Sequence, residues 1–344
     1  MNKKVIVFGA TGHTASCVAL DLKNAGYDVL AVGRRESDNG FFADFGIPYY
    51  SVDITDSNAF KTLPQGNVFA IVHYAGILPS HMDGYHPELY ISSIVQGTFN
   101  VLEYARQVGA ERFVFPQTLF DIHHLFGSKI PIPADAERRV PRGDHAMYVI
   151  AKNMAVDMIE HYYAEFGIKR FIFRMSRIYL YLPTPFQYQD GKKFLVSDRY
   201  MIYRAMKGLD IEMWGDRDRI LETMCIRDLE QLIRCALTAD CDGGIYNVGS
   251  GGTTLEERVR GIIEVFSPKD HPSKIIHCPD KPDGQQFVLD YSKGTIELGY
   301  RPKYKWIDYL LDFKKEMELQ RFHKLQGYES DYFDLERWDG SLTL

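Results

Sequence analysis

No stretch of this 344-residue chain holds the roughly 20 consecutive apolar residues that a membrane-spanning helix needs. The opening Met1-Asn2-Lys3-Lys4 runs straight into Val5–Phe8, an apolar segment of strand length and too short for a secretory leader. Cysteine is scarce: Cys17, Cys225, Cys235, Cys241 and Cys278 are scattered, odd in number and free of any CxxC spacing. That usage argues against a disulfide framework or a zinc site and fits a reducing, cytoplasmic setting. Positive charge is not in excess, since 40 Lys and Arg stand against 46 Asp and Glu for a net charge of −6. A nucleic-acid partner is not indicated, whereas a small anionic substrate, which needs only a few local cations, stays open. Internal repeats and low-complexity tracts are also missing. What remains is an ordinary globular composition, 45% hydrophobic and 25% charged, able to bury a sizeable core.

The first half alternates short apolar runs with helical stretches. Strands are expected at Val5–Phe8, Val29–Val32, Tyr49–Val52, Phe69–Val72 and Phe113–Phe115, with helices near Thr14–Ala25, Ser57–Lys61 and Glu88–Gln107 between them. Runs apolar on both faces, separated by helices, predict a parallel sheet covered on each side. Gly26 and Gly109 sit where a glycine would end a helix. A long helix over Ala146–Phe166, closed by Gly167, and a strand over Arg170–Met175 continue the pattern. Residues 180–200 then turn rich in proline, aromatics and polar side chains and read as an excursion from the sheet. Beyond them the elements are shorter: helix near 200–207, strand 211–214, helix 228–238, strand 245–247 and helix 254–266.

Three motifs carry chemistry. Gly9-Ala10-Thr11-Gly12-His13-Thr14-Ala15 follows a strand and precedes a helix; small residues at this spacing allow a tight turn and seat phosphates on the amides of a helix N-terminus. The spacing is GxxGxxA, which an ordinary strand-turn-helix loop can also show. The second strand ends Gly33-Arg34-Arg35, where an acidic residue would accept from a ribose 2′-hydroxyl and arginine suits a 2′-phosphate. NADP(H) is therefore favoured, with NAD(H) possible and two solvated loop arginines the alternative. Asp53, followed by Ile54, stands where it could accept from an adenine edge or cap the helix before Ser57. The third motif is Tyr148-Val149-Ile150-Ala151-Lys152, whose i, i+4 spacing puts phenol and ammonium on one helix face. A tyrosine with a reference pKa of ~10 needs a nearby cation to bring its phenolate toward neutral pH. Thr118, after the fifth strand, lies beyond a strand's carboxyl end, where ligands of open α/β sheets bind.

Taken with Ala75-Gly76 after the fourth strand, these residues resemble the extended short-chain dehydrogenase/reductases, and most closely their NAD-dependent epimerase/dehydratase group, which includes UDP-galactose epimerases. The likeness spans roughly residues 4–315 and includes Gln96-Gly97-Thr98, Arg174, Trp214-Gly215-Asp216, Arg227-Asp228 and Leu298-Gly299. It implies a Rossmann-type doubly wound parallel sheet with a smaller, discontinuous α/β substrate lobe. The division expected is 1–178 for dinucleotide binding with returning segments near 211–250, 179–320 mainly for substrate, and 321–344 as a C-terminal extension. It further implies Tyr148 as acid/base, Lys152 on the nicotinamide ribose and Thr118 on the same substrate oxygen. Gly9, Thr11, Gly12, His13 and Ala15 would line the pyrophosphate, Asp53 and Ile54 the adenine, Ala75 and Gly76 the inner ribose. A sugar-nucleotide epimerase is the first expectation. An NADPH-dependent ketoreductase is the alternative, and a non-catalytic dinucleotide-binding regulator the reading from another class. A homodimer through the two long helices is the family's habit.

The departures fall on the substrate side. Pro116 and Gln117 precede Thr118 where small hydroxyl residues are usual, and Leu119-Phe120 replace the acidic pair of dehydratases, which counts against water elimination. Ile94 and Arg177 each replace an asparagine, and Leu221 replaces the arginine that clamps a nucleotide diphosphate. Arg177, Arg219 and Arg217 are candidate substitutes for it, and His123 a candidate substrate contact. Adjacent His123 and His124 beside Asp121 make a poor chelate, so no metal is expected. Arg138, Arg139 and Arg142 are read as a solvated cluster, and the aromatic stretch 306–313 as core.

Overall fold

The computed structural model describes residues 3–143 and 145–341. Val5, Ile6, Val7 and Phe8 have no solvent exposure at all. A strand apolar on both faces can be satisfied only between two covered layers, and that is where this one lies. It is β1 (Lys4–Phe8), followed by β2 (Asp28–Gly33), β3 (Tyr49–Ser51), β4 (Ala70–His73), β5 (Arg112–Thr118), β6 (Lys169–Met175) and β7 (Gly243–Val248). They form one sheet in the order β7-β6-β5-β4-β1-β2-β3, every ladder parallel.

Strand alternation splits the core into two layers. Val5 and Val7 pack with α1 (His13–Asn24) on one face; Ile6 and Phe8 pack on the other with α2 (Gly97–Gln107) and α3 (Ala146–Phe166). The helix expected over Glu88–Gln107 is composite: Pro87–Tyr90 is α-helical, Ile91–Gln96 is a wider π-turn, and α2 completes it. Gly97 sits at that junction because a Cβ there would stand 2.4 Å from Ile54 Cδ1.

The strand order reverses between β1 and β4, and the loops leaving these two strands diverge around a crevice at the sheet's carboxyl edge. The ends of β5 and β6 reach the same edge. Past β6 the chain makes α4 (Ser197–Met206), α5 (Ile226–Thr238), α6 (Leu255–Phe266) and α7 (Trp306–Leu319). The excursion over 180–200 contains an antiparallel hairpin, Phe186–Gln189 with Lys192–Leu195, turning at Asp190 and Gly191 with φ of 50° and 69°. The aromatic stretch becomes α7, with Trp306, Tyr309, Leu310 and Phe313 buried. No helix among the described residues is long and apolar enough to cross a membrane.

Candidate active site

The crevice is built first by the turn after β1. Gly9 has φ +76°, and a Cβ there would stand 2.6 Å from the Ala75 amide nitrogen, so the backbones of the two diverging loops touch only because the side chain is hydrogen. The Gly12 amide closes the turn on the Gly9 carbonyl at 2.8 Å. Helix α1 then starts at His13 with Gly12 as N-cap and no capping side chain. Its N-terminal end, with the positive pole of the helix dipole, is thus presented to the crevice without a competing acceptor. The His13 ring lies 6.4 Å from that of His81. Burial, with the charges of His81 and Arg35, pushes the His13 imidazole down to about 3 and keeps it neutral. Thr11 packs against Gly33 of β2, and its carbonyl accepts from Gln326 Nε2 at 2.7 Å.

The other wall comes from α3 and the end of β5. Tyr148 and Lys152 are both buried on the face of α3 turned toward the sheet. Lys152 Nζ donates to the Pro116 carbonyl at 2.7 Å and lies 4.3 Å from the Phe115 ring centroid. Tyr148 lines the cleft together with Thr118, and its ring packs 5.6 Å from that of Tyr90. The expectation that the lysine lowers the phenol's pKa needs correction for the cofactor-free protein. Burial raises Tyr148, and burial also lowers Lys152 to about 7, which weakens the charge that would favour phenolate.

Between these walls runs a cleft in two compartments. One, of about 440 Å³, extends from Gly9, Gly12 and Ala15 past Gly76 to Tyr148 and Lys152. The other, of about 840 Å³, continues past Thr118 to Phe120, His123 and Phe287. Thr118, Tyr148, Arg177 and Gln187 line both. Two buried hydroxyls of the first compartment, on Tyr74 and Tyr179, have no hydrogen-bond partner. Such groups call for a polar ligand.

Other candidates land less uniformly. Arg34 is exposed at the end of β2, whereas the Arg35 guanidinium donates to the Leu325 carbonyl. Asp53 Oδ1 accepts from the Thr55 amide and hydroxyl at 2.9 and 2.8 Å, and the cap before Ser57 is made by Asp56 instead. Ile54 packs beneath Gly97, and Ala75 backs the glycine turn. Arg177 faces the cleft in an ion pair with Asp198 at 3.1 Å. His123 lines the second compartment, its Nε2 2.7 Å from Gln285 Nε2. Arg219 is not brought to either compartment: Asp283 takes its guanidinium at 2.6 Å. Arg217 pairs with Glu256, Arg138 with Asp157 and Arg139 with Glu137, while Arg142 lines the second compartment. Asp121 turns away from the histidines into a fully buried pair with Arg174 at 2.9 Å. No group of three metal-ligating side chains occurs among the described residues.

Asp198 and Arg199 of α4 also line the cleft and were not foreseen, because nothing in their local sequence marks a helix start that folds back over the sheet edge. Nor was Gln326, which reaches the glycine turn from 315 residues away.

Residues 5–249 match the model of the NAD dependent epimerase/dehydratase family. A UDP-glucose 4-epimerase of Rhizobium leguminosarum bv. trifolii is 24% identical over 319 residues, which is 87% of this chain and 93% of that protein. The UDP-glucose 4-epimerase of Thermotoga maritima, solved with UDP-glucose, superposes with a TM-score of 0.73 at 19% identity over 92% of this chain and 99% of that one. The UDP-glucose 4-epimerase of Bifidobacterium longum, solved with NAD+ and UDP, gives a TM-score of 0.71 at 17% identity over 93% and 100%. At these identities the solved structures establish the shared fold.

Proposed function

The chain belongs to the NAD dependent epimerase/dehydratase family, and on that premise we propose that it interconverts epimers of a sugar carried on a nucleotide. The residues at the crevice fit a dinucleotide: the hydrogen-only contact at Gly9, the uncapped start of α1 and the unpartnered Tyr74 hydroxyl together form a polar cradle. Gly9, Thr11, Gly12, His13 and Ala15 hold the pyrophosphate, Asp53 and Ile54 the adenine, Ala75 and Gly76 the inner ribose, and Lys152 the nicotinamide ribose. Bound there, the dinucleotide supplies a hydride acceptor and donor.

The chain's own residues do the rest. Tyr148 takes the proton from the substrate hydroxyl as the ketone forms and returns it as the hydroxyl is restored; Thr118 holds the same oxygen through its hydroxyl. Ligand charge and the ribose hydroxyls at Lys152 offset the burial that lowers it, and a fully charged Lys152 then favours the phenolate. The carrying observation is that Tyr148 and Thr118 stand together at the wall where the two compartments meet, with the glycine turn at the far end of one of them.

NADP(H) is the proposed cofactor form, with Arg34 on the 2′-phosphate, since Arg35 is engaged by Leu325. Titration is expected to give tighter binding of NADPH than of NADH and loss of that difference in Arg34→Ala. Equal or better NADH binding in the wild type discards it. The same preference for NADPH favours the second reading, a ketoreductase, which net consumption of NADPH across a panel of nucleotide sugars and keto sugars separates from epimerisation. A non-catalytic binder has no use for Tyr148, Thr118 and Lys152 in one wall. A homodimer is proposed through the long helices, where Leu89, Ile91, Phe99 and Met154 are exposed; a cytoplasmic setting is proposed from five free cysteines.

A further inference from the structure

Tyr148 and Thr118 belong to the ring of side chains where the two compartments meet, and both are assigned to the reacting oxygen. Leu78 and Met175 in that ring are apolar, and the Arg177 guanidinium is paired with Asp198 at 3.1 Å. Its remaining polar side chains are those of Ser80 and Gln187, and neither has a hydrogen-bond partner among the described residues. Gln187 lies on the hairpin Phe186–Leu195, whose two strands pair with each other and with no other described strand. The base of the hairpin is anchored: Pro185 and Leu195 are buried, and the Val196 amide donates to the Pro185 carbonyl at 2.9 Å. Its tip is held by shape. A Cβ on Gly191, at φ +69°, would stand 3.0 Å from Gly84 Cα and 3.1 Å from the Gly84 nitrogen. Gly84 lies in the loop after β4 that also carries Ser80, and Phe186–Gln189 packs along the turn Pro79–His81 of that loop. Backbone therefore rests on backbone, and this close approach sets where Gln187 stands relative to Ser80 and the junction.

We propose that Gln187 is a specificity-determining residue: held at the junction by the Gly84–Gly191 contact, it hydrogen-bonds a sugar hydroxyl on a carbon next to the reacting one. The inference rests on the functional reading above and deepens it. A carboxamide both donates and accepts, and it carries no charge, so it suits a hydroxyl rather than an ion. Epimerisation changes one stereocentre and so shifts how the neighbouring hydroxyls sit against the cleft. By presenting either its oxygen or its nitrogen, Gln187 can keep such a hydroxyl in both forms. Ser80 offers a second uncharged partner from the loop on which the hairpin rests.

The test is equilibrium binding of UDP-glucose against UDP, and of dTDP-glucose against dTDP, to the full chain loaded with NADPH, which cannot oxidise the sugars. Gln187→Leu is expected to weaken at least one sugar form by about three- to tenfold, the effect of losing one neutral hydrogen bond, and to leave the bare nucleotides and NADPH unchanged. Gly191→Asn tests the docking: asparagine tolerates a positive φ, so the turn is kept while the side chain lifts the tip from Gly84. It is expected to show the same sugar-specific loss, and the double variant to lose no more than the larger single one, because both act through one contact. Unchanged sugar binding in Gln187→Leu, or an equal loss for the bare nucleotides, overturns the role of Gln187. Additive losses in the double variant overturn the role of the glycine contact. Should Gln187→Leu fail to fold, Gln187→Asn, with its shorter side chain, is expected to give the same loss, and native affinity in that variant overturns the assignment equally. A wild type that binds the sugar forms no more tightly than the bare nucleotides also overturns it. Failure of the functional reading shows separately, as absent NADPH binding by the wild type.

Discussion

At the scale of single residues, the account turns on how burial treats a phenol and an amine one helical turn apart. Lys152 is lowered to about 7 by burial, against about 10.5 when the chain is unfolded. Between those two values the unfolded chain holds a proton on this lysine that the folded chain does not, so the group's contribution to stability rises with pH across that window. Cofactor-free wild type is therefore expected to gain roughly 1–2 kcal/mol over Lys152→Met between about pH 6.5 and about pH 8.5. Urea midpoints of both proteins at the two pH values check this; parallel curves contradict it. Tyr148, Lys152 and Thr118 were legible in the sequence because helical spacing and a strand end fix where such side chains go. Arg219 was not, since Asp283, 64 residues further on, captures it. The Asp198–Arg177 pair was equally hidden, because only the path of the chain across the sheet edge brings α4 to the end of β6.

At the scale of elements, the parallel strands read clearly because each is an apolar run that only a covered sheet can hold. The hairpin at 186–195 did not, since Gln187, Tyr188, Gln189 and two lysines give no apolar alternation and the strands are held by their turn. The π-turn at Ile91–Gln96 was also invisible: its residues have the periodicity of an ordinary helix, and the close contact of Ile54 with Gly97, where the turn ends, is a tertiary one. The glycine turn after β1 depends on two backbones in contact. Gly9→Ala is expected to cost at least about 1 kcal/mol of stability through its positive φ alone and to abolish most dinucleotide binding, as Ala75 is pushed away. Thermal unfolding and NADPH titration of the variant measure both effects; native affinity in a folded Gly9→Ala protein would show that the turn is not the cradle.

At the scale of the whole molecule, the segment after α7 ties the two sides of the cleft together. Gln326 holds the Thr11 carbonyl and the Leu325 carbonyl takes Arg35, beside the glycine turn. A few residues later Glu329 accepts from Tyr181 at 2.8 Å and from Arg199 and Tyr203, on the substrate side. Leu325 and Trp338 anchor this strap, 3% and 8% exposed. Gln326→Ala removes one hydrogen bond to the turn and is expected to weaken NADPH a few-fold, whereas removal of residues 320–344 takes away the whole strap that packs beside the turn and is expected to cost roughly tenfold. Fluorescence titration reads both, and undiminished affinity in the truncated, folded chain contradicts a role for the strap at the cofactor. The most direct measurement is turnover by Tyr148→Phe on whichever panel substrate the wild type converts, read as epimer formed or, for a net reduction, as NADPH consumed. The expected result is a rate about 10²- to 10⁴-fold lower with NADPH affinity within about twofold of wild type; an undiminished rate would contradict the assignment of Tyr148 as the group that moves the proton.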